Sequence, residues 1–229
     1  MSHYLEIDSV QKSYGQNSVL TDVYLRCETG DIIGLLGRNG SGKSTFMKIL
    51  FGSISADQKF IRIDDKIFDH PYLTTGVISY LPQDFFLPRH MRLDTAVNLF
   101  LPEKQAATFF KDLILRKLRY SKVSNLSGGE QRYVEIKLLL NSYAKFILLD
   151  EPFNGIAPIL IKTIKEMIRQ SARDKGVILT DHDYHNVIDV ANRHYLFADG
   201  GLKPILKKED LVMRGYMSRE RADELIFNP

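Results

Sequence analysis

The sequence predicts an α/β fold: a mostly parallel central sheet, antiparallel strands at the N-terminus, and a helical segment inserted midway. Three observations predict it. Short continuous apolar runs, Ile32-Ile33-Gly34-Leu35-Leu36, Phe146-Ile147-Leu148-Leu149 and Val177-Ile178-Leu179-Thr180, read as strands buried on both faces, the habit of parallel sheets. Stretches with helical spacing lie between them, so strands and helices alternate. From Asp84 to Asn125 the character changes to helical spacing alone, with Ala96, Val97, Leu99, Phe100, Phe109, Leu113 and Leu118 as the apolar positions and Pro88 and Pro102 as breaks.

Composition bounds the function. A chain of 229 residues, 44% hydrophobic and 26% charged, can bury a full α/β core. A formal net charge of +3 argues only weakly for a nucleic-acid partner, which usually meets a strongly basic face. The single cysteine, Cys27, cannot form an intrachain disulfide, which fits a reducing compartment, and it reads as a small half-buried strand residue. No apolar stretch reaches the roughly 18 to 20 residues of a membrane span, and Met1-Ser2-His3-Tyr4 lacks a signal pattern. The expectation is a cytoplasmic chain that does not itself cross a membrane.

Taken in order, Tyr4 to Val10 alternates with Leu5, Ile7 and Val10 apolar, turns at Tyr14-Gly15-Gln16-Asn17, and resumes from Val19 to Arg26 as an antiparallel partner. Tyr14, at the end of such a strand, can stack on a base or simply pack half-buried. After the strand at 32–36 comes Gly37-Arg38-Asn39-Gly40-Ser41-Gly42-Lys43-Ser44-Thr45, followed by the helix-like Phe46-Met47-Lys48-Ile49-Leu50. A glycine-rich bend between strand and helix gathers backbone N–H groups and the positive helix end onto one anion. Lys43 then reaches the terminal phosphates of a nucleoside triphosphate, and the Ser44 hydroxyl ligates Mg²⁺. The core is therefore of the P-loop NTPase kind.

Phe60 to Phe68 forms a short hairpin, and Val77 to Leu81 is a further strand ending at Pro82-Gln83, where an amide can ligate a metal or orient a water. Phe85, Phe86 and Leu87, at the entrance of the helical insertion, read equally as core or as a docking patch. In Leu126-Ser127-Gly128-Gly129-Glu130-Gln131, Ser127 and Glu130 match a capping box at the start of an apolar helix. Two glycines in its first turn, each weakening a helix by about 1 kcal/mol, are not explained by capping but leave N–H groups approachable by a second anion. The strand at 146–149 delivers Asp150-Glu151, two adjacent carboxylates that make sense if Asp150 serves the Mg²⁺ shell and Glu151 deprotonates a water. A helix from about Pro158 to Arg173 follows. The next strand ends in Asp181-His182-Asp183, where His182 can hydrogen-bond a γ-phosphate. A last hairpin, Tyr195 to Leu206, precedes a charged segment, 207–229, read as a solvated helical tail.

In these motifs the chain resembles the ATP-binding cassette (ABC) family, specifically the separate nucleotide-binding subunit of a transporter. The resemblance runs over nearly the whole chain and is carried most specifically by Leu126 to Gln131. It implies one cassette domain over 1–229: a nucleotide-binding core from 1–83 and 126–206, a helical subdomain at 84–125 and a helical tail at 207–229. It implies ATP and Mg²⁺ as ligands, with Gly37, Arg38, Asn39, Gly40, Ser41, Gly42, Lys43, Ser44 and Thr45 cradling the phosphates and Tyr14 on the adenine. It assigns Ser44, Gln83 and Asp150 to the metal, and Lys43, Gln83, Glu151 and His182 to catalysis. Ser127, Gly128, Gly129 and Glu130 would meet ATP held by a second, head-to-tail copy. A transmembrane permease subunit would dock near Gln83 to Leu87 and the helical insertion, placing the chain at the cytoplasmic face of the membrane. The competing expectations are a soluble ATPase acting on nucleic acid or ribosomes, and a low-turnover ATP sensor. One departure stands out: where the family usually carries aspartate before a proline, Asn154-Gly155-Ile156-Ala157-Pro158 has Ala157, which implies weaker coupling between the two sites.

Overall fold

Two sheets share the strands. The computed structural model describes residues 2–225 and 227. Strands β1 (Tyr4–Tyr14), β2 (Asn17–Glu28), β4 (Gln58–Ile63) and β5 (Lys66–Ile67) form an antiparallel sheet in the order β2-β1-β4-β5. The larger sheet adds β3 (Ile32–Leu36), β6 (Ile78–Leu81), β7 (Phe146–Asp150), β8 (Gly176–Thr180), β9 (Arg193–Ala198) and β10 (Gly201–Ile205) in the order β10-β9-β3-β8-β7-β6. Only β10 runs antiparallel to its neighbour in that sheet. The apolar spacing of β1, which slips from two to three between Ile7 and Val10, has a local cause. A bulge lies there with Ser9 at φ 53°, and it returns Val10 to the buried face beside Leu5 and Ile7.

Helices cover both faces of the large sheet. Alternate strand residues feed two separate cores, as the period of a strand requires. On one face Ile33, Leu35, Leu148 and Ile178 pack with Phe46, Met47, Ile49 and Leu50 of α1 (Lys43–Phe51) and with the antiparallel sheet. On the other, Ile147, Leu149, Val177 and Leu179 pack with Ile136 of α5 (Gly128–Leu140) and with Ile164 and Ile168 of α6 (Pro158–Ala172). Helix α7 (Tyr184–Val190) lies against β3: a Cβ at Gly34 would come within 2.5 Å of Val187 Cγ1. Cys27 is fully buried rather than half-buried, and burial pushes its thiol well above the ordinary range, so it is inert packing.

Between β6 and α5 the chain forms α2 (Leu93–Phe100), α3 (Glu103–Phe109) and α4 (Leu113–Leu118). Asp112 anchors them: it caps α4 by accepting from the Ile114 and Leu115 amides at 2.9 and 3.2 Å, and it accepts from Tyr133 Oη at 2.7 Å and Lys137 Nζ at 2.6 Å on α5. The C-terminal segment departs from the solvated tail read in its charge. Leu211 on α8 (Lys208–Met213) and Leu225 are buried in the second core, Ala222 on α9 (Arg219–Asp223) is buried as well, and Arg38 Nη2 donates to Gly215 O at 3.1 Å. One apolar residue per turn suffices to seat such a helix while its charges face water, which composition alone hides. The tail expectation for 226, 228 and 229 lies outside the described residues.

Candidate phosphate and metal site

The loops leaving the C-terminal ends of β3, β6, β7 and β8 converge, the position where open α/β sheets bind ligands. After β3 the backbone passes through left-handed conformations at Gly40 (φ 78°) and Gly42 (φ 102°), and a Cβ on Gly42 would sit 2.9 Å from Leu20 Cδ2. The N-cap of α1 is Gly42, so no side chain caps the helix end that faces the cavity. That cavity, about 520 Å³, is lined by Val19, Asn39, Gly40, Ser41, Gly42, Lys43, Ser44, Thr45, Gln83, Glu151 and His182. Lys43 Nζ donates to the carbonyls of Gly37 and Arg38 at 2.7 and 2.9 Å. Burial lowers its pKa, against the upward pull of Glu151 and Asp150.

Asp150, the last residue of β7, is completely buried, and each of its oxygens takes a hydroxyl: Ser44 Oγ donates to Oδ1 at 3.1 Å and Tyr80 Oη to Oδ2 at 2.9 Å. Burial raises its pKa, while Tyr80 and Ser44 pull it down. Glu151 follows in the left-handed region at φ 54°, a conformation uncommon for a non-glycine residue, with its amide still donating to Thr180 O at 2.8 Å. Both its carboxylate oxygens are held. Gln83 Nε2 donates to Oε1 at 2.7 Å and also to Ser44 Oγ at 3.3 Å, and His182 Nε2 lies 2.6 Å from Oε2. Burial is the main reason that the Glu151 carboxyl is pushed up, with His182 opposing and Asp150 adding to it. A carboxylate fixed at both oxygens beside a phosphate loop can take a proton from a water aimed at phosphorus.

The donors suit a hard cation. The Ser44 hydroxyl and the Asp150 carboxylate offer oxygen ligands, while the Gln83 amide turns its nitrogen toward Ser44 and Glu151, and among the described residues no group of three or more His, Cys, Asp or Glu forms a metal cage. A sparse oxygen set fits Mg²⁺, which takes one or two protein ligands and completes its shell with phosphates and water.

The structure does not bring every expected residue into this cavity. Tyr14 is 55% exposed, with Lys12 Nζ 5.1 Å from its ring centroid, and it is not part of the lining. Gly37 and Arg38 are not among the lining residues: the Arg38 guanidinium turns to Gly215 of the C-terminal segment, and Gly37 packs against Phe197. Ser127, Gly128, Gly129 and Glu130 lie at the start of α5 and are not among the lining residues. There the capping box is formed: the Ser127 hydroxyl accepts from the Glu130 amide at 3.3 Å, and Glu130 Oε2 accepts from the Ser127 amide at 2.8 Å. The two glycines differ: a Cβ on Gly129 would meet Gly155 O at 3.1 Å, whereas one on Gly128 finds only ordinary contact with Phe85. The Phe85 to Leu87 stretch divides likewise, with Leu87 buried, Phe86 part-buried and Phe85 49% exposed.

Sequence reasoning missed three residues that hold the site. Tyr80 is one. The others are Arg132 and Glu135, buried charges on α5: Arg132 donates to the carbonyls of Pro82 (2.7 Å) and Gln83, and Glu135 Oε1 accepts from the Phe86 and Leu87 amides at 2.9 and 3.1 Å. They clamp the loop carrying Gln83 to the helix that begins at Ser127. The available signal was a pair of opposite charges three apart, Arg132 just before the apolar run Tyr133 to Leu140 and Glu135 inside it.

A family model described as ABC transporter matches residues 20–154. A lipopolysaccharide export system ATP-binding protein of Acidithiobacillus ferridurans is 36% identical over 226 residues, covering 93% of each chain. Its counterpart in Escherichia coli strain K12 is 35% identical over 237 residues, covering 94% of this chain and 98% of that one. Among solved structures, an ATP-binding subunit of an ABC transporter superposes with a TM-score of 0.82 at 22% identity, over 96% of this chain and 97% of that one.

Proposed function

We propose that this chain, which belongs to the ABC transporter family, carries out its hydrolysis in a site completed by a second copy and passes the resulting motion to a membrane subunit. It is the ATP-binding, ATP-hydrolysing subunit of a transporter, and the competing role on nucleic acid or ribosomes finds no support in its relatives. The observation that carries the mechanism is the continuous network Ser44–Asp150 and Ser44–Gln83–Glu151–His182 along one wall of the phosphate cavity.

The loop backbone from Asn39 to Thr45 and Lys43, the latter steadied by the Gly37 and Arg38 carbonyls, bind the β- and γ-phosphates. Ser44, Gln83 and Asp150 would hold Mg²⁺, which when bound offsets charge on the phosphate oxygens. Glu151, oriented by Gln83 and His182, accepts the proton of the attacking water, and His182 then reaches the γ-phosphate. Tyr14, exposed at the end of β1, stacks on adenine from outside the present lining. Ser127, Gly128, Gly129 and Glu130, exposed or half-exposed and not part of the lining of the chain's own cavity, supply the second anion site to a copy related head to tail. The membrane subunit seats beside the clamped loop, in an apolar groove of about 490 Å³ lined by Phe51, Tyr72, Tyr80, Phe86, Phe100 and Tyr143. Among the described residues no helix is long and apolar enough to cross a membrane, and this partner places the chain at the cytoplasmic face. The cargo class that the relatives' names favour is lipopolysaccharide.

Glu151→Gln tests the base. Turnover should fall at least 100-fold with ATP binding retained, and wild-type turnover would remove Glu151 from the mechanism. Co-purification from detergent-solubilised membranes tests the partner: a polytopic subunit should accompany the wild-type chain and be lost on Phe100→Glu.

A further inference from the structure

Tyr80 belongs to two places at once. Its hydroxyl donates to Asp150 Oδ2 at 2.9 Å, while Ser44 Oγ donates to the other carboxylate oxygen. Its ring forms part of the wall of the apolar groove and packs on Phe51 with centroids 5.3 Å apart, and Phe51 in turn packs on Tyr72 at 5.4 Å. Asp150 has no exposed surface, so the Tyr80 and Ser44 hydroxyls, not bulk water, set how its carboxylate is turned. Phe51 is the last residue of α1, the helix whose first turn carries Lys43 and Ser44, so the ring that holds Tyr80 is built on the same rigid element as the phosphate loop.

We propose that Tyr80 is a positioning residue for Asp150: Phe51 fixes its ring, and its hydroxyl turns the carboxylate so that Oδ1 faces Ser44 and the divalent cation. The wall of the groove is then one end of the metal site, and whatever seats in the groove bears on the carboxylate through a single side chain. This rests on the reading of Asp150 as a magnesium-shell residue. A hydroxyl donor behind a metal carboxylate acts as its orienting partner, and loss of such a partner typically weakens metal binding 10- to 100-fold.

The test is direct titration of Mn²⁺, followed by electron paramagnetic resonance of the free ion, with a non-hydrolysable ATP analogue bound to the full-length protein. Tyr80→Phe removes one oxygen and keeps the ring on Phe51, and it should weaken Mn²⁺ about 10-fold. Binding of a fluorescent ATP analogue in EDTA should stay at the wild-type level. Phe51→Leu, which touches no polar atom of the site, should weaken Mn²⁺ in the same direction. Adding Tyr80→Phe to it should cost less than in the wild type, because both act through one hydroxyl. Asp150→Asn separates the premise from the proposal. If it keeps wild-type Mn²⁺ affinity, the metal-shell reading falls and the proposal with it. If Asp150→Asn loses affinity while Tyr80→Phe keeps it, or if Tyr80→Phe loses metal-free nucleotide binding equally, Tyr80 has no positioning role.

Discussion

A methyl group at position 157 stands where a carboxylate would do two jobs. Ala157 is the N-cap of α6 and makes no side-chain cap bond, so the first-turn amides of a 15-residue helix go without one. Ala157→Asp should stabilise the fold by about 1 kcal/mol and raise the melting temperature by about 2 to 4 °C, measurable by calorimetry. The same variant should raise the Hill coefficient of ATP hydrolysis if the segment Asn154 to Pro158 couples two sites. An unchanged coefficient would confine the substitution to helix capping. At this scale the motif residues were legible because a loop with glycines at fixed positions, or two acids at a strand end, has few other uses. Tyr80 was not, because the tyrosine earns its role from Asp150, 70 positions away, and only the pairing of β6 with β7 makes the two neighbours. The left-handed turn at Glu151 likewise has no signal in a string of letters.

Among elements, the last of the inserted helices, α4, is held to α5 by one carboxylate. Asp112 ties α4 to α5 through two amides, a phenol and an ammonium. Although burial opposes it, the Lys137 ammonium and Tyr133 hydroxyl hold the Asp112 carboxyl below its ordinary 3.8. A depressed carboxylate contributes stability that is fully present above pH 3.8 and lost as the pH falls through its folded value. Asp112→Ala should destabilise by about 2 kcal/mol at pH 7 and lose part of that difference near pH 3, read from urea midpoints. The existence and kind of these helices were legible in apolar spacing. Their anchoring was not, because Asp112 reads as one more surface acid. The C-terminal helices gave the opposite lesson. Their charges suggested a solvated tail, yet Leu211 is fully buried, and Leu211→Ala should cost about 2 to 5 kcal/mol where an exposed leucine would cost almost nothing.

At the scale of the molecule, two rigid connections frame the function. Arg132 and Glu135 join the Gln83 loop, which touches the chain's own Glu151, to the helix capped by Ser127, so the two are tied into one body. Gly129 packs against Gly155 O, which adds the turn after Glu151 to the same body. This arrangement follows from the order of strands in the sheet, β3-β8-β7-β6, which gathers loops that the sequence scatters over about 145 residues. On the proposed function, one chain holds only half of a working site. Light scattering of Glu151→Gln, with and without ATP, tests it most directly when repeated with Ser127→Arg added. Twice the chain's mass is expected with ATP, a single chain's mass without it, and no ATP-driven doubling once Ser127 is replaced. A single-chain mass with saturating ATP, or a dimer indifferent to Ser127→Arg, would contradict it.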